Sequence, residues 1–273
     1  MNISIKNIEE SLNLKKRKGP LIHCISNLFV INNLEKVILA YDGIQIISKN
    51  EEEVEEITYK SQGLLINLEN LNYTKDTLIE KSIRIAFIKK IPIILDLSGV
   101  GLSFFQRETA RKLLSRYDID VVVGTIKELN YLLEEDEEMN LKNLRISSIK
   151  DEVELRKRIR RFCKRYGTVV LLGIDRYYLT DGFSEFYIGF LTYRLKEFKY
   201  VLPALVSVGI STTKEREKKF KGILVATMTM DVINKKVENL EREVDLEDII
   251  DILNNLSSKE LSELSEIEYV FSR

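Results

Sequence analysis

A single carboxylate at the end of an apolar run is the group in this chain best placed to do chemistry. Residues 91–101 read Ile-Pro-Ile-Ile-Leu-Asp-Leu-Ser-Gly-Val-Gly, so Asp96 ends the run, and Gly99 and Gly101 follow in a turn. Open α/β sheets bind ligands at the carboxyl ends of their strands, and glycines there let the backbone approach a phosphate. The pattern predicts a phosphate or Mg²⁺ site, although an Asp after a strand also serves as an N-cap or turn residue.

The elements that must position this acid alternate along the first two thirds of the chain. Short β-branched apolar runs predict buried strands, and the amphipathic segments between them predict helices. Such alternation indicates right-handed βαβ crossovers and a mostly parallel sheet. The predicted strands are Ile44–Ser48, Gly63–Leu68, Ile91–Asp96, Ile119–Val123 and Thr168–Leu172, and the predicted helices are Leu28–Ala40, Glu51–Lys60, Thr74–Lys89, Phe104–Tyr117 and Asp151–Tyr166.

The pattern changes in the last third of the chain. An antiparallel extension is predicted first, with a turn at Asp181-Gly182, and the chain from Val201 onward is predicted to be mainly helical. No linker rich in serine and proline divides these parts, so we expect a single domain over residues 1–273. The strands of the predicted extension are Tyr177–Thr180 and Glu185–Ile188, with Leu191–Phe198 as a further candidate.

Composition argues against several classes of protein. The chain has 42 Lys and Arg against 43 Asp and Glu, and this balance gives no reason to expect nucleic acid or an anionic membrane as a partner. The two cysteines, Cys24 and Cys163, form no disulfide framework and no zinc pattern, which favours a reducing cytoplasm. We expect no membrane association, because no apolar run is long enough to span a bilayer. The N-terminus also lacks the apolar core of a signal peptide.

Two further features have a structural explanation that competes with a functional one. His23 is the only histidine; a catalytic role would require a nucleophile and an orienting acid nearby, whereas its apolar neighbours favour a satisfied core residue. Arg156–Arg165 holds seven Lys and Arg in ten residues, which would suit an anion or RNA site. However, Ile159 and Phe162 belong to an apolar stripe at helical spacing, so the charges are better explained as a solvated helix face.

Short motifs spread over nearly the whole chain have the order and spacing of those in one known family. They are Pro20-Leu21-Ile22-His23-Cys24-Ile25-Ser26-Asn27, Gly43 to Val54, Gly63-Leu64-Leu65-Ile66-Asn67-Leu68, Asp96 to Gly101, Glu108-Thr109-Ala110, Thr180-Asp181-Gly182 and Leu246-Glu247-Asp248-Ile249-Ile250-Asp251. Together they resemble the hydroxyethylthiazole kinase family of thiamine salvage. The resemblance implies a ribokinase-like α/β fold of three α/β/α layers, with a mostly parallel sheet and helices on both faces.

The resemblance also implies an activity, which is transfer of the ATP γ-phosphoryl group to the primary alcohol of 4-methyl-5-(2-hydroxyethyl)thiazole. By position, Asp96 is then the catalytic acid or base of the site, and Asp96 and Glu128 are the ligands of Mg²⁺, which prefers oxygen. Thr180 matches a threonine that contacts the nucleotide. Gly99 and Gly101 match glycines of the cofactor-binding turn.

On the substrate side, the resemblance assigns Asn27 and Ser48 to the thiazole pocket. It also implies a homotrimer with that pocket between subunits, to which an apolar helix such as Leu28–Ala40 could contribute. The partners expected are therefore a small-molecule substrate and two further copies of the chain.

The sequence departs from the family at several positions. The arginine that meets the nucleotide falls at Val123, and a substrate-contacting methionine falls at Ser48. The family's glycine-rich GTGC loop forms an anion hole, but Glu197–Ala204 contains no glycine, and the loop's cysteine falls at about Val201. Loss of such preorganised donors commonly lowers rates by about 10²–10³. Two alternatives therefore stay open: a catalytically impaired homologue that binds a ligand or partner, and a kinase of the same fold that acts on another small alcohol.

Overall fold

The computed structural model describes residues 5–27, 29–48, 50–133 and 149–270. Within these ranges, nine strands form one sheet, and they are numbered in chain order. The strands are β1 (Leu21–Ile25), β2 (Ile44–Ile46), β3 (Gly63–Asn67), β4 (Ile93–Asp96), β5 (Val121–Thr125), β6 (Val169–Gly173), β7 (Tyr177–Thr180), β8 (Glu185–Ile188) and β9 (Ile267–Val270).

The order of strands across the sheet is β2-β1-β3-β4-β5-β6-β7-β8-β9. Strands β1 to β6 run parallel to one another, whereas β7, β8 and β9 continue the sheet in antiparallel pairs. This confirms the mostly parallel sheet that the alternating pattern predicts. We call the edge at which β1 to β6 end the carboxyl edge.

Helices pack on both faces of this sheet. They are α1 (Ile5–Lys18), α2 (Ile31–Ala40), α3 (Val54–Lys60), α4 (Tyr73–Lys89), α5 (Phe104–Arg116), α6 (Ile126–Leu133), α7 (Ile149–Tyr166), α8 (Val201–Ile210), α9 (Arg216–Glu238), α10 (Leu246–Asn254) and α11 (Ser258–Leu264), with a 3-10 helix at Tyr193–Phe198.

Alternating strand side chains divide the hydrophobic core between these two faces, as the two-residue period of a strand requires. Leu65 and Ile94 belong to a cluster with α1, α2 and α8 to α11. Ile66 and Leu95 belong to a second cluster with α3 to α7. The three-layer α/β/α arrangement is therefore confirmed. In the part of the chain that the structure describes, no helix is both long enough and apolar enough to cross a bilayer.

Two elements near the N-terminus were not predicted. The sequence pattern gives no strand over Leu21–Ile25, because the polar residue His23 interrupts a short apolar run. In the folded protein both ring nitrogens of His23 have partners, so β1 is buried without an unsatisfied polar group. Helix α1 is also absent from the prediction, since charged residues dominate its sequence.

The third candidate strand of the extension, Leu191–Phe198, is wrong. The structure has the 3-10 helix Tyr193–Phe198 there, and Oγ1 of Thr192 caps it by accepting from the backbone N–H of Arg194 at 3.2 Å. The ninth strand comes instead from Ile267–Val270, which lies in the region predicted to be mainly helical.

Candidate active site

Asp96 is the last residue of β4, and its carboxylate is held by two neighbours. Oδ1 accepts hydrogen bonds from the backbone N–H and the hydroxyl of Ser98, at 3.0 Å and 2.8 Å, and Oδ2 accepts one from Nδ2 of Asn67 at 2.6 Å. Only 4% of the residue is exposed. Burial raises the pKa of Asp96 to about 6, against the lowering effect of these hydrogen bonds. The carboxylate is therefore mostly ionised at pH 7, but its pKa is close enough to this pH for it to accept a proton.

Polar residues at the end of β3 and just beyond β1 and β3 are connected to Asp96 by hydrogen bonds along the carboxyl edge. Nδ2 of Asn27 donates to Oε2 of Glu69 at 2.9 Å, and the backbone N–H of Glu69 donates to Oδ1 of Asn67 at 3.0 Å. Because β1, β3 and β4 are neighbours in the sheet, these bonds join three strand ends into one network. Asn27, which the resemblance assigns to the substrate, thus lies in the same network as Asp96.

Two lysines place positive charge beside this network. Nζ of Lys75, a buried residue on α4, donates to the backbone carbonyl of Glu69 at 2.6 Å. Burial lowers the pKa of Lys75 to about 8, although the charges of Asp96 and Glu69 oppose that change. Nζ of Lys199, which lies just before α8, is 3.4 Å from Oε1 of Glu69. Both cations therefore lie at this edge, each in contact with Glu69.

Glu128 lies in the first turn of α6, directly after β5. Its Oε2 accepts hydrogen bonds from the backbone N–H and the hydroxyl of Thr125, at 2.8 Å and 3.0 Å. The charge of Glu128 contributes to the raised pKa of Asp96, so the two carboxylates influence each other electrostatically. The structure thus brings together the two acids that the sequence analysis paired.

The donor set at this edge fits Mg²⁺ rather than a metal held in a protein cage. Among the residues that the structure describes, no three His, Cys, Asp or Glu side chains converge on one metal position. Mg²⁺ is usually held by one or two carboxylates, with phosphates and waters completing its shell. Of the carboxylates at this edge, Asp96 and Glu128 are the pair that the resemblance assigns to that role, while Glu69 is engaged by Asn27 and Lys199.

Helix α8 begins where the sequence lacks the glycine-rich loop. Tyr200 is its N-cap residue without a side-chain cap, and Ser211, just after the helix, packs against Gly63 at the start of β3. Helix α8 is therefore antiparallel to β3, with its N-terminus at the carboxyl edge beside Lys199. The first N–H groups and the positive dipole end of a helix favour anions. Pro203 is compatible with this position, because an N–H in the first helical turn has no intrahelical partner.

The two glycines after Asp96 are explained by the turn that they form. Gly99 has φ of +89°, in the left-handed region, and a Cβ there would approach Cα of Glu69 to 3.0 Å. A Cβ on Gly101 would collide with the ring of Tyr131. Packing thus requires both glycines, and their contact with a nucleotide stays a prediction.

Ser48 lies two residues beyond β2, at the same edge as Asn27. It is half-buried, and its Oγ is 2.9 Å from Nε2 of His23. His23 itself is fully buried, with Nδ1 2.9 Å from Oγ1 of Thr58. The core position predicted for His23 is confirmed, and its contact with Ser48 connects it to the carboxyl edge.

Thr180 does not lie with the other predicted site residues, and its assignment to the nucleotide is corrected. It pairs with Val170 near the start of β6, because β7 is antiparallel, and so lies at the opposite edge of the sheet from Asp96. The residue is fully buried, and its Oγ1 accepts from the backbone N–H of Gly182 at 3.0 Å. Thr180 therefore stabilises the turn between β7 and β8.

The basic run in α7 serves the fold, as the sequence pattern favours. Its apolar stripe, which includes Ile159 and Phe162, is buried. Two of its arginines, Arg156 and Arg160, form ion pairs at 2.8 Å and 2.9 Å with Glu185, an acid on β8 that has no exposed surface. A buried carboxylate of this kind requires such partners.

Four residues of the site were not singled out from the sequence: Asn67, Glu69, Lys75 and Lys199. Asn67 and Glu69 follow the same rule as Asp96, since a polar residue ends a buried apolar run. That signal was present in Gly63–Leu68 and the residue after it. Nothing comparable marks the two lysines among the many exposed ones.

Comparisons with known proteins agree with this geometry. A profile of the hydroxyethylthiazole kinase family matches residues 12–213. A hydroxyethylthiazole kinase from Clostridium perfringens (strain 13 / Type A) is 26% identical over 233 residues, which are 84% of this chain and 86% of that protein.

Two solved structures are also similar. A hydroxyethylthiazole kinase from Pyrococcus horikoshii OT3 has a TM-score of 0.83 at 23% identity, over 97% of this chain and 100% of that one. A ribokinase-like superfamily protein from Enterococcus faecalis V583 has a TM-score of 0.62 at 11% identity, over 96% and 95% of the two chains. These likenesses establish the ribokinase-like fold, and the profile match establishes that the chain belongs to the hydroxyethylthiazole kinase family.

Proposed function

We propose that this protein transfers the γ-phosphoryl group of ATP to the primary alcohol of 4-methyl-5-(2-hydroxyethyl)thiazole in thiamine salvage. The observation that carries this proposal is the buried carboxylate of Asp96, held at the carboxyl edge by Asn67 and Ser98 in a chain of this family. Family membership alone would fit an inactive homologue. The preserved acid and the two cations beside it support a working kinase.

Asp96 acts as the general base in this proposal. Its raised pKa of about 6 suits a group that accepts the proton of the attacking alcohol near neutral pH. Asn67 and Ser98 hold the carboxylate in one orientation, which preserves the geometry that proton transfer needs.

Glu128 would hold Mg²⁺, because Asp96 is used as the base, and the metal neutralises charge on the ATP phosphates when it is bound. Glu128 is fixed for this task by Thr125, the last residue of β5. Gly99 and Gly101 shape the turn after Asp96, and we assign this turn to the phosphates because it leads directly from Asp96 to the start of α5.

Lys75, Lys199 and the N-terminus of α8 supply the positive charge that a glycine-rich anion hole would otherwise give. Phosphoryl transfer depends mainly on positioning and on stabilisation of charge by such groups. Lys75 donates to the backbone carbonyl of Glu69 and Lys199 pairs with its carboxylate, so one residue holds both cations at the same edge.

Asn27 and Ser48 form the thiazole side of the site in this proposal. Several exposed apolar side chains lie near the same edge: Phe29, Leu102 and Phe104 are 88%, 76% and 61% exposed. Apolar surface of this kind supports an assembly in which neighbouring subunits cover it. We therefore extend the proposal to the homotrimer that the resemblance implies, with the substrate pocket between subunits, and we place it in the cytoplasm because Cys24 and Cys163 are both free.

The direct test is ATP-dependent phosphorylation of the thiazole alcohol by the purified protein, with Asp96→Ala as the control. We expect turnover of about 1–100 per second, as is typical of kinases, and a loss of at least about 10²-fold in the variant. Turnover no higher than that of Asp96→Ala, together with retained binding of the alcohol in calorimetry, would show a binding protein instead.

A further inference from the structure

A chain of hydrogen-bonded groups runs from Ser48 at the carboxyl edge into the core. Oγ of Ser48 is 2.9 Å from Nε2 of His23, and Nδ1 of His23 is 2.9 Å from Oγ1 of Thr58. The hydroxyl of Thr58 lies 2.8 Å from the backbone carbonyl of Val54, one turn earlier in α3. His23 and Thr58 have no exposed surface, so water does not compete for these bonds.

The carbonyl of Val54, at the inner end of this series of groups, decides which atom donates and which accepts in each of its hydrogen bonds. The carbonyl of Val54 can only accept, so the single hydroxyl proton of Thr58 is committed to it. Oγ1 of Thr58 must then accept from Nδ1 of His23. Burial lowers the pKa of His23 to about 4, so the ring is neutral at pH 7 and carries one proton. That proton is on Nδ1, and Nε2 accepts from Ser48.

We propose that His23 and Thr58 hold Ser48 as a hydrogen-bond acceptor for the substrate, so that the pocket binds small alcohols with an additional N–H or O–H donor more tightly than the thiazole alcohol itself, which has no donor beyond its hydroxyl. This inference rests on the proposed function, which places substrate at the carboxyl edge. The hydroxyl proton of Ser48 points to Nε2, so only its lone pairs are available to a ligand. A ligand atom that can only accept a hydrogen bond, such as an unprotonated ring nitrogen, finds no donor at Ser48. A ring amino group, in contrast, can donate a hydrogen bond to Oγ of Ser48. His23 and Thr58 are positioning residues, because they act through Ser48.

The first measurement is the tautomer of His23 in the free protein. Because His23 is the only histidine, nitrogen NMR of histidine-labelled protein gives one pair of ring signals. We expect the proton on Nδ1 at pH 7, with Nε2 unprotonated. A ring protonated on Nε2 would overturn the proposed direction, whatever the activity of the protein.

Thr58→Val tests whether the hydroxyl of Thr58 keeps the ring proton of His23 on Nδ1. The variant keeps the shape of the side chain but removes the acceptor of the Nδ1 proton, so we expect the proton to move to Nε2. Ser48 then accepts from the ring and can donate to a ligand. Thr227→Val is the matched control, because Thr227 is equally buried and its hydroxyl donates to the carbonyl of Ile223 at the same 2.8 Å. The control should leave the tautomer of His23 unchanged.

The second measurement compares two ligands by calorimetry, so that it does not depend on catalysis. They are 4-methyl-5-(2-hydroxyethyl)thiazole and its 2-amino derivative, which adds an N–H donor. We expect the wild-type protein and Thr227→Val to bind the amino derivative about 3–10-fold more tightly, the effect of one net hydrogen bond. Thr58→Val and Ser48→Ala should lose this preference.

Equal binding of the two ligands by the wild-type protein would overturn the proposed selection, even with the expected tautomer. Binding with the expected preference but without phosphorylation would instead count against the proposed function and support the inference. Binding of neither ligand would contradict the placement of substrate beside Ser48. Melting temperatures of all variants identify any that fail to fold.

Discussion

Nδ2 of Asn67 donates a hydrogen bond of 2.6 Å to Oδ2 of Asp96 across the neighbouring strands β3 and β4. The two residues occupy the last positions of their strands and are paired in register. The bond favours the charged form of Asp96 and lowers its pKa, against the larger opposing effect of burial. Asn67 therefore contributes, together with Ser98, both to the direction in which the carboxylate points and to the pH range in which it can accept a proton.

Replacement of Asn67 by alanine should shift the pH dependence of the reaction. Without the amide, the pKa of Asp96 rises above about 6, so the acid limb of kcat/KM moves to higher pH. At pH 7 we expect kcat to fall by about 10-fold, because fewer carboxylates are ionised and the remaining ones are less well oriented. The measurement is a pH–rate profile from pH 5 to 8. An unchanged acid limb would contradict the assignment of Asp96 as the base.

Stability should also depend on pH through Asp96. The pKa of Asp96 is about 6 in the folded protein, against an ordinary value of 3.8. The folded state thus binds the proton more tightly than the unfolded state, and the free energy of unfolding falls as pH rises from 4 to 6. The loss is at most about 3 kcal/mol, since one pKa unit corresponds to about 1.4 kcal/mol.

Urea unfolding at pH 4 and pH 7 measures this change, with Asp96→Asn as the comparison. The variant has no titratable group at this position, so we expect a smaller difference in unfolding free energy between the two pH values. An equal difference in the wild-type protein and in the variant would show that other groups cause the pH dependence.

The carboxyl edge was largely predictable where a local pattern marks it. Asp96 ends an apolar run of the kind that forms a buried strand, and Asn67 ends another, so the rule that finds one finds both. Lys75 could not be found in this way, because its burial depends on how α4 packs against Glu69. The family motif assigns Thr180 to the nucleotide, but the predicted antiparallel direction of β7 already puts its last residue at the opposite edge.

The charge of Lys75 should be visible in the alkaline limb of the reaction. Its pKa is lowered to about 8 by burial, so the cation is lost as pH rises through 8, and kcat should fall with it. Lys75→Met should lower kcat by about 10–100-fold at pH 7, because a neutral side chain cannot stabilise the transferring phosphoryl group. Lys75→Arg should keep activity above pH 8, because arginine stays charged. An alkaline limb that is the same in the arginine variant and in the wild-type protein would assign that limb to another group.

Lys199 should contribute mainly to the affinity for ATP. It lies just before α8 and reaches Glu69 at 3.4 Å, beside the positive end of the helix dipole. Lys199→Ala removes this exposed cation without disturbing the core, so we expect KM for ATP to rise by about 3–10-fold, the effect of one charge-assisted contact of about 1 kcal/mol. The thiazole alcohol should bind as before, because its proposed contacts are Asn27 and Ser48.

The matched control for this prediction is Lys196→Ala. Lys196 lies one helical turn earlier, in the 3-10 helix, and its Nζ contacts the hydroxyl of Tyr193 instead of the acidic network. Both variants remove one positive charge from the same segment, so a general change in surface charge would raise KM for ATP equally in the two. A rise confined to Lys199→Ala, and weakened at high salt as screening requires, locates the nucleotide phosphates at the N-terminus of α8. Equal values of KM in the two variants would remove Lys199 from the proposed site and leave α8 and Lys75 as the remaining anion-binding groups.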